Sequence, residues 1–203
     1  MKVVVVKYNA GNIRSVVNAL RRIGEEPLVT DSPELLREAD RVIFPGQGEA
    51  SNTMAYLRES GLDAVIRSLT QPVLGICIGQ QLLCEWSDEG NTPCLGVFPG
   101  AVVRRFADLW PGAPCKVPHI GWNTVEQLSS PLLAGLREGD FVYYIHSYCV
   151  PLCEYAIAQT EYGGVRYCAA MRRGNFYAAQ FHPEKSGAVG ERILHNFIHL
   201  CHD

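Results

Sequence analysis

The chain has 203 residues, of which 47% are hydrophobic and 19% charged, with a formal net charge of −3. That length suits a single domain, residues 1–203, with a sizeable core, and the small negative charge offers no electrostatic basis for binding nucleic acid or an anionic membrane surface. No apolar run approaches the length of a membrane span, and the eight cysteines contain no Cys-x-x-Cys pair and match no zinc spacing.

Residues 3–6, four consecutive valines, read as a strand covered on both faces. This start lacks the length and cleavage site of a signal peptide, so a cytoplasmic location is expected, and the thiols need form no disulfides. After a turn at 8–12, Asn12 is expected to cap a helix whose Val16, Val17, Leu20 and Ile23 share one face, with Gly24 ending it. Residues 27–30 form a second short strand. Ser32-Pro33 reads as N-cap and first helical residue, and 41–44 form a third strand. Helical patterns fill 52–69, and a fourth strand follows at 73–76. This alternation predicts an α/β fold with a largely parallel sheet flanked by helices. The second half changes character. Residues 100–106, 115–118, 141–145, 155–160, 165–171 and 176–181 are short strand-like runs, and the turns between them suit antiparallel hairpins. A closing helix spans about 187–201, with Ile193, Leu194, Phe197, Ile198 and Leu200 as its apolar set.

The chemistry centres on Gly75-Ile76-Cys77-Ile78-Gly79. A short apolar strand ends at a glycine, one cysteine follows, and a helical pattern begins. This is the thiol counterpart of a nucleophile elbow, in which a strand hands directly to a helix and holds the nucleophile at the apex. The other seven cysteines read as structural thiols. Cys77 needs a base to raise its thiolate fraction. Of the six histidines, His195, His199 and His202 fall on the last helix or tail. His182 ends the run Tyr177-Ala178-Ala179-Gln180-Phe181 and precedes proline, which keeps it extended. Glu184 is placed to accept a hydrogen bond from the imidazole, giving a Cys77-His182-Glu184 triad. A thiolate attacking a carbonyl creates an oxyanion, which needs preorganised N–H donors. The N–H of Ile78, just after the nucleophile, is one. The loop Pro45-Gly46-Gln47-Gly48, at the carboxyl end of the third strand, offers others at Gln47 and Gly48. No Walker or Gly-x-Gly-x-x-Gly pattern is present. The residues imply acyl transfer through a cysteine thioester, leaving an amide, an ester or a peptide as the substrate. No metal or other cofactor is expected.

Gly75-Ile76-Cys77-Ile78-Gly79-Gln80-Gln81 resembles the nucleophile motif of the class I (triad) glutamine amidotransferases, and His182-Pro183-Glu184 resembles their base motif. Four further stretches resemble the glutaminase subunits of imidazole glycerol phosphate synthases. They are Tyr8-Asn9-Ala10-Gly11-Asn12-Ile13-Arg14-Ser15, Lys116-Val117-Pro118-His119-Ile120-Gly121-Trp122-Asn123, His146-Ser147-Tyr148 and His182-Pro183-Glu184-Lys185-Ser186-Gly187. The resemblance runs through essentially the whole chain. It implies a flavodoxin-like amidotransferase fold and hydrolysis of L-glutamine to glutamate and ammonia through a Cys77 thioester. It also implies a heterodimer with a (β/α)8 cyclase subunit. Ammonia passes to that subunit for the synthesis of imidazole glycerol phosphate and aminoimidazole carboxamide ribotide in histidine biosynthesis. Gln81, Gly46 and the backbone of Ser147 and Tyr148 match residues that hold glutamine. Asn12, Pro118, His119, Gly121, Trp122, Asn123, Tyr143 and Lys185 are expected at the partner interface, with His119 and Trp122 on the surface. His146 is expected to support the glutamine pocket. The chain departs from the usual Pro-Gly-Val-Gly of the oxyanion loop, with glutamine at Gln47.

Overall fold

The computed structural model describes residues 1–9, 12–109, 111–112 and 116–202. Its first half alternates strand and helix: β1 (Val3–Val6), α1 (Ile13–Arg22), β2 (Leu28–Thr30), α2 (Pro33–Arg37), β3 (Arg41–Phe44), α3 (Ala50–Glu59), α4 (Leu62–Arg67), β4 (Val73–Ile76) and α5 (Ile78–Leu83). The second half is strand-rich. It runs β5 (Cys84–Ser87), β6 (Thr92–Pro93), β7 (Phe98–Arg105), α6 (Phe106–Leu109), β8 (His119–Thr124), β9 (Phe141–His146), β10 (Tyr148–Cys149), β11 (Ala156–Tyr162), β12 (Val165–Arg173), β13 (Phe176–Ala179) and α7 (Gly187–His199).

Among the described residues, seven strands form the main sheet in the order β11-β12-β13-β4-β3-β1-β2. β2, β1, β3, β4 and β13 are mutually parallel, while β11, β12 and β13 pair antiparallel. Strand alternation divides the core between the two faces. Val3 and Val5 pack with Leu20, Ile193 and Phe197, whereas Val4 and Val6 pack with Leu36, Met54 and Leu57 on the other side. Each such fully buried aliphatic side chain contributes about 1.5–3 kcal/mol of transfer free energy. Two smaller sheets, β10-β7-β5-β6 and the ribbon β8-β9, stand apart from the main one.

Several expectations need correction. Asn12 occupies the N-cap position of α1 but makes no capping bond; its φ is 74° and its side chain turns elsewhere. The helical patterns over 52–69 resolve into α3 and α4, separated where Gly61 adopts φ 71° and starts α4. The helix after Cys77 has six residues, and Cys84 is already extended, feeding β5. Of the expected 115–118 strand, Cys115 lies outside the described residues and 116–118 are not strand; the pairing begins at His119. Ser32 caps α2 as read from the sequence, its hydroxyl accepting from Leu35 N at 3.3 Å.

Candidate active site

β4 lies between β3 and β13, and its carboxyl end delivers Cys77 at the centre of the main sheet. Cys77 has φ 54° and ψ −106°, an unfavourable conformation for a residue with a side chain and one that costs about 1–3 kcal/mol. Its N–H is tied to Ala179 O at 2.7 Å, which holds the turn against β13. The flanking glycines are required by close approach. A Cβ on Gly79 would lie 2.2 Å from Phe44 O of β3, and one on Gly75 would lie 2.9 Å from the backbone of Gly79. The elbow therefore needs glycine on both sides to bring α5 onto the sheet.

His182 follows β13, directly beside β4. Its N–H donates to Tyr143 O at 2.8 Å, and Ser186 Oγ donates to its carbonyl at 2.6 Å. The ring is buried. Nδ1 donates to Glu184 Oε1 at 2.7 Å, and the same carboxylate oxygen accepts from Asn12 Nδ2 at 2.8 Å. Nε2 makes no formed hydrogen bond, and the group close enough to influence it is the Cys77 sulfur. Burial opposes a charge on this ring, but the Cys77 thiolate, and after it Glu184, outweigh burial and raise the pKa to about 10. The arrangement suits a thiolate–imidazolium pair held by a buried carboxylate. Cys77 Sγ also lies 3.8 Å from Ile145 O and 3.8 Å from Gln180 Nε2.

A cavity of about 320 Å³ opens over the sulfur. It is lined by Gln47, Gly48, Cys77, Ile78, Gln81, Glu89, Pro118, Ile145, His146, Ser147 and Tyr148. This volume is within the range of small-molecule sites, roughly 300–1,000 Å³. The structure thus brings Gln47, Gly48, Ile78, Gln81, Ser147 and Tyr148 together around Cys77. Gly46 is different. It is buried behind the wall, where an added Cβ would meet Ile78 Cγ2 at 2.1 Å and Tyr8 Oη at 2.2 Å, so Gln47 and Gly48 form the wall in its place. The 45–48 loop is held at both ends. Tyr8 Oη donates to Pro45 O, and Glu49 caps α3 by accepting from Ser51 N and Asn52 N at 3.0 and 2.9 Å. Gln81 Nε2 donates to Tyr148 O at 2.9 Å and to Gln180 Oε1 at 3.0 Å, which leaves its own carbonyl oxygen for a ligand.

His146 supports this wall from behind. Its Nδ1 donates to Tyr148 O at 2.8 Å, so in the neutral ring Nε2 is the acceptor, 3.2 Å from both His119 Nδ1 and Tyr167 Oη. Burial pushes the pKa of His146 down to about 3, with the neighbouring His119 adding to it, and burial pushes His119 down to about 4. Both rings are neutral at pH 7. His119 is not at the surface, contrary to the expectation from its motif. It is 2% exposed and stacked between Tyr144 and Tyr162, at centroid distances of 4.8 and 3.8 Å. The reason is strand parity. In the β8–β9 register His119 pairs with His146 and Gly121 with Tyr144, all on the inner face, while Trp122 pairs with Tyr143 on the outer face. Trp122 is 54% exposed and Ile120 56%. Lys185 Nζ stands 5.9 Å from the Tyr143 ring centroid, extending that outer face. Asn123 uses its side chain within the chain, donating to Glu161 O at 2.9 Å and accepting from Thr124 N at 2.8 Å.

Three residues at the site escaped sequence reasoning. Glu89 places a carboxylate in the cavity wall and accepts from Ala50 N at 2.8 Å; burial, with Glu49 nearby, raises its pKa. Gln180 bridges Gln81 and the Cys77 sulfur, and its one signal was a polar residue in the apolar run before His182. Tyr8, just after β1, holds the 45–48 loop, and nothing local to it points there.

The class-I glutamine amidotransferase family model matches residues 4–201. An imidazole glycerol phosphate synthase subunit HisH of Bacteroides fragilis is 55% identical over 201 residues, covering 98% of this chain and 100% of the relative. A second, HisH 2 of Legionella pneumophila, is 42% identical over 199 residues, covering 98% of each chain. A crystal structure of a glutamine amidotransferase superposes with a TM-score of 0.73 at 24% identity over 98% of both chains, a likeness of fold. Family match, full-length relatives and the strand–cysteine–helix turn agree, and the chain belongs to the class-I glutamine amidotransferase family and, within it, to the HisH subunits of imidazole glycerol phosphate synthase.

Proposed function

We propose that the chain hydrolyses L-glutamine at Cys77 and delivers the ammonia to a (β/α)8 cyclase subunit. The observation that carries the reading is Cys77 Sγ at the floor of a small cavity, with the buried His182–Glu184 pair behind it. The Cys77 thiolate attacks the side-chain amide carbon of glutamine. The oxyanion is met by the Ile78 N–H and by the backbone of Gln47 and Gly48 across the cavity. Collapse of the tetrahedral intermediate breaks the C–N bond, and imidazolium Nε2 of His182 protonates the leaving nitrogen. His182 then takes a proton from water as that water attacks the thioester, and glutamate leaves. Glu184 keeps Nδ1 protonated throughout, with Asn12 bonded to the same oxygen.

Gln81 and Glu89 are proposed to read the amino-acid end of the substrate, the Glu89 carboxylate pairing with the α-ammonium. Glu89→Gln is therefore expected to raise KM for glutamine by about 10- to 100-fold with a smaller change in kcat, read by steady-state glutaminase kinetics. An unchanged KM would remove Glu89 from substrate recognition.

For the partner we propose the outer face of the β8–β9 ribbon, with Trp122, Tyr143 and Lys185, Gly121 lying beside it on the inner side of β8, together with Pro118 in the cavity wall and Asn12 beside Glu184. Asn123 borders this face. Exposed Ile120, Trp122 and Phe141 support an apolar contact. The cyclase would use the ammonia to form imidazole glycerol phosphate and aminoimidazole carboxamide ribotide in histidine biosynthesis. The free thiols among the described residues support a reducing, cytoplasmic setting. The test is glutaminase turnover of the chain alone and mixed with the cyclase. Low activity alone and strong activation by the cyclase are expected, with activation lost in Trp122→Asp. Full turnover without a partner would point to a stand-alone amidase.

A further inference from the structure

Away from the glutamine cavity, two thiols with no part in the mechanism lie against each other. Cys168 is on β12 and is fully buried. Cys153 is on the loop between β10 and β11 and is partly exposed. Their sulfurs are 3.7 Å apart. The loop is laid along β12 by the Cys168 N–H, which donates to Val150 O at 2.9 Å, and by a bridge between Pro151 and Tyr167. Cys153 also lines a second cavity, of about 550 Å³, with Gln127, Ser129, Glu138 and Gln159 among its walls. Cys153 is thus the partly exposed member of the pair, beside a cavity, and Cys168 is the buried one in contact with it.

We propose that Cys153 and Cys168 form a redox-active dithiol that a hydroperoxide closes to a disulfide. Sulfur–sulfur contact is what the pair contributes: closure from 3.7 Å to a bond of roughly 2.05 Å needs a side-chain shift rather than a change of fold. In the first step the Cys153 thiolate attacks the peroxide, the O–O bond breaks, Cys153 becomes a sulfenic acid, and hydroxide, or alkoxide from an organic peroxide, leaves. In the second step Cys168 loses its proton to water or hydroxide, its sulfur attacks the sulfenic sulfur, and water departs. With hydrogen peroxide, two thiols and one peroxide yield one disulfide and two waters. A dithiol reductant reverses it by exchange.

The environment separates the roles. Cys168 donates a hydrogen bond to the Cys153 sulfur and lowers its pKa, against the cost of burial and with help from the Tyr155 backbone, to about 7. The same contact, with burial, holds Cys168 well above the ordinary thiol range. The Cys168 hydrogen has an alternative acceptor in Pro151 O at 3.3 Å. Cys153 is then the attacking thiolate and Cys168 the resolving thiol. Among the described residues Cys84 is a further thiol within electrostatic range of Cys153, and it is buried with a strongly raised pKa caused first by that burial and then by Cys94 and Cys153.

The test is peptide mapping of the full chain after one equivalent of hydrogen peroxide, with free thiols alkylated before a non-reducing tryptic digest. Arg166 separates the pair, so the expected product joins residues 138–166 to residues 167–172, with fragmentation assigning the link to Cys153 and not Cys149. Dithiothreitol should release it. In Cys168→Ser a dimedone-type probe should label Cys153, and in Cys153→Ser Cys168 should remain alkylatable after unfolding. A Cys153–Cys84 link would overturn the pairing. Recovery of both thiols unmodified, or a Cys153 sulfinate beside an alkylated Cys168, would overturn the dithiol.

Discussion

Cys77→Ala is expected to lower glutamine turnover by about 10,000-fold or more, in the chain alone and with its cyclase, because no other group at the cavity floor can form the acyl bond. The measurement is ammonia or glutamate release, and activity within tenfold of wild type would reject the thioester route. The same position carries a second, independent expectation. Alanine keeps a Cβ at φ 54° and so keeps the backbone strain of the elbow, whereas glycine relieves it. Cys77→Gly should therefore be more stable than Cys77→Ala by about 1 kcal/mol in chemical denaturation, although both are inactive. Equal stabilities would mean that the turn is not strained.

Glu184→Gln is expected to cost about 1,000- to 10,000-fold in kcat, the scale seen when a triad carboxylate is neutralised. The amide retains the shape but lacks the charge that holds Nδ1–H of His182, and Glu184 Oε1 also carries the bond from Asn12. The readout that separates this from a packing defect is the His182 pKa, followed by NMR of the ring. In the wild type it is raised from 6.5 to about 10, against burial, by the Cys77 thiolate and then by Glu184. A raised folded-state value means that this ionisation stabilises the fold fully below pH 6.5 and that the increment is lost as pH rises toward about 10. In Glu184→Gln the value should fall, and in Cys77→Ala it should fall further, since the thiolate is the larger of the two. A His182 pKa unmoved in both variants would remove the ion-pair account.

The triad was legible because each half is local. Gly75-x-Cys77-x-Gly79 encodes its own strand–turn–helix, and His182 and Glu184 are two residues apart, so the spacing alone brings them within reach. Glu89 was not legible, because it reaches the cavity from the turn between β5 and β6, strands of four and two residues that carry almost no period. Tyr8 meets Pro45 only after β1 and β3 pair. His119 shows the limit most directly. Motif position put it at a surface, but the side of a strand on which a residue lands depends on register, and moving one place along β8 exchanges Trp122's face for His119's.

The register of β9 has one more consequence. Two carbonyls of that strand, two residues apart, meet the two reacting side chains' own segments: Tyr143 O takes the His182 N–H, and Ile145 O faces Cys77 Sγ. Those carbonyls are separated by about 6.6–6.8 Å along an extended chain. β9 therefore works as a caliper laid across nucleophile and base. The β8–β9 ladder lies outside the main sheet, and the ribbon is tied to β11 by Thr160 Oγ1, which donates to Thr124 O at 2.8 Å, and by the bridge between Glu126 and Gln159. A shift of β9 would therefore act on the His182 backbone and the Cys77 sulfur at once.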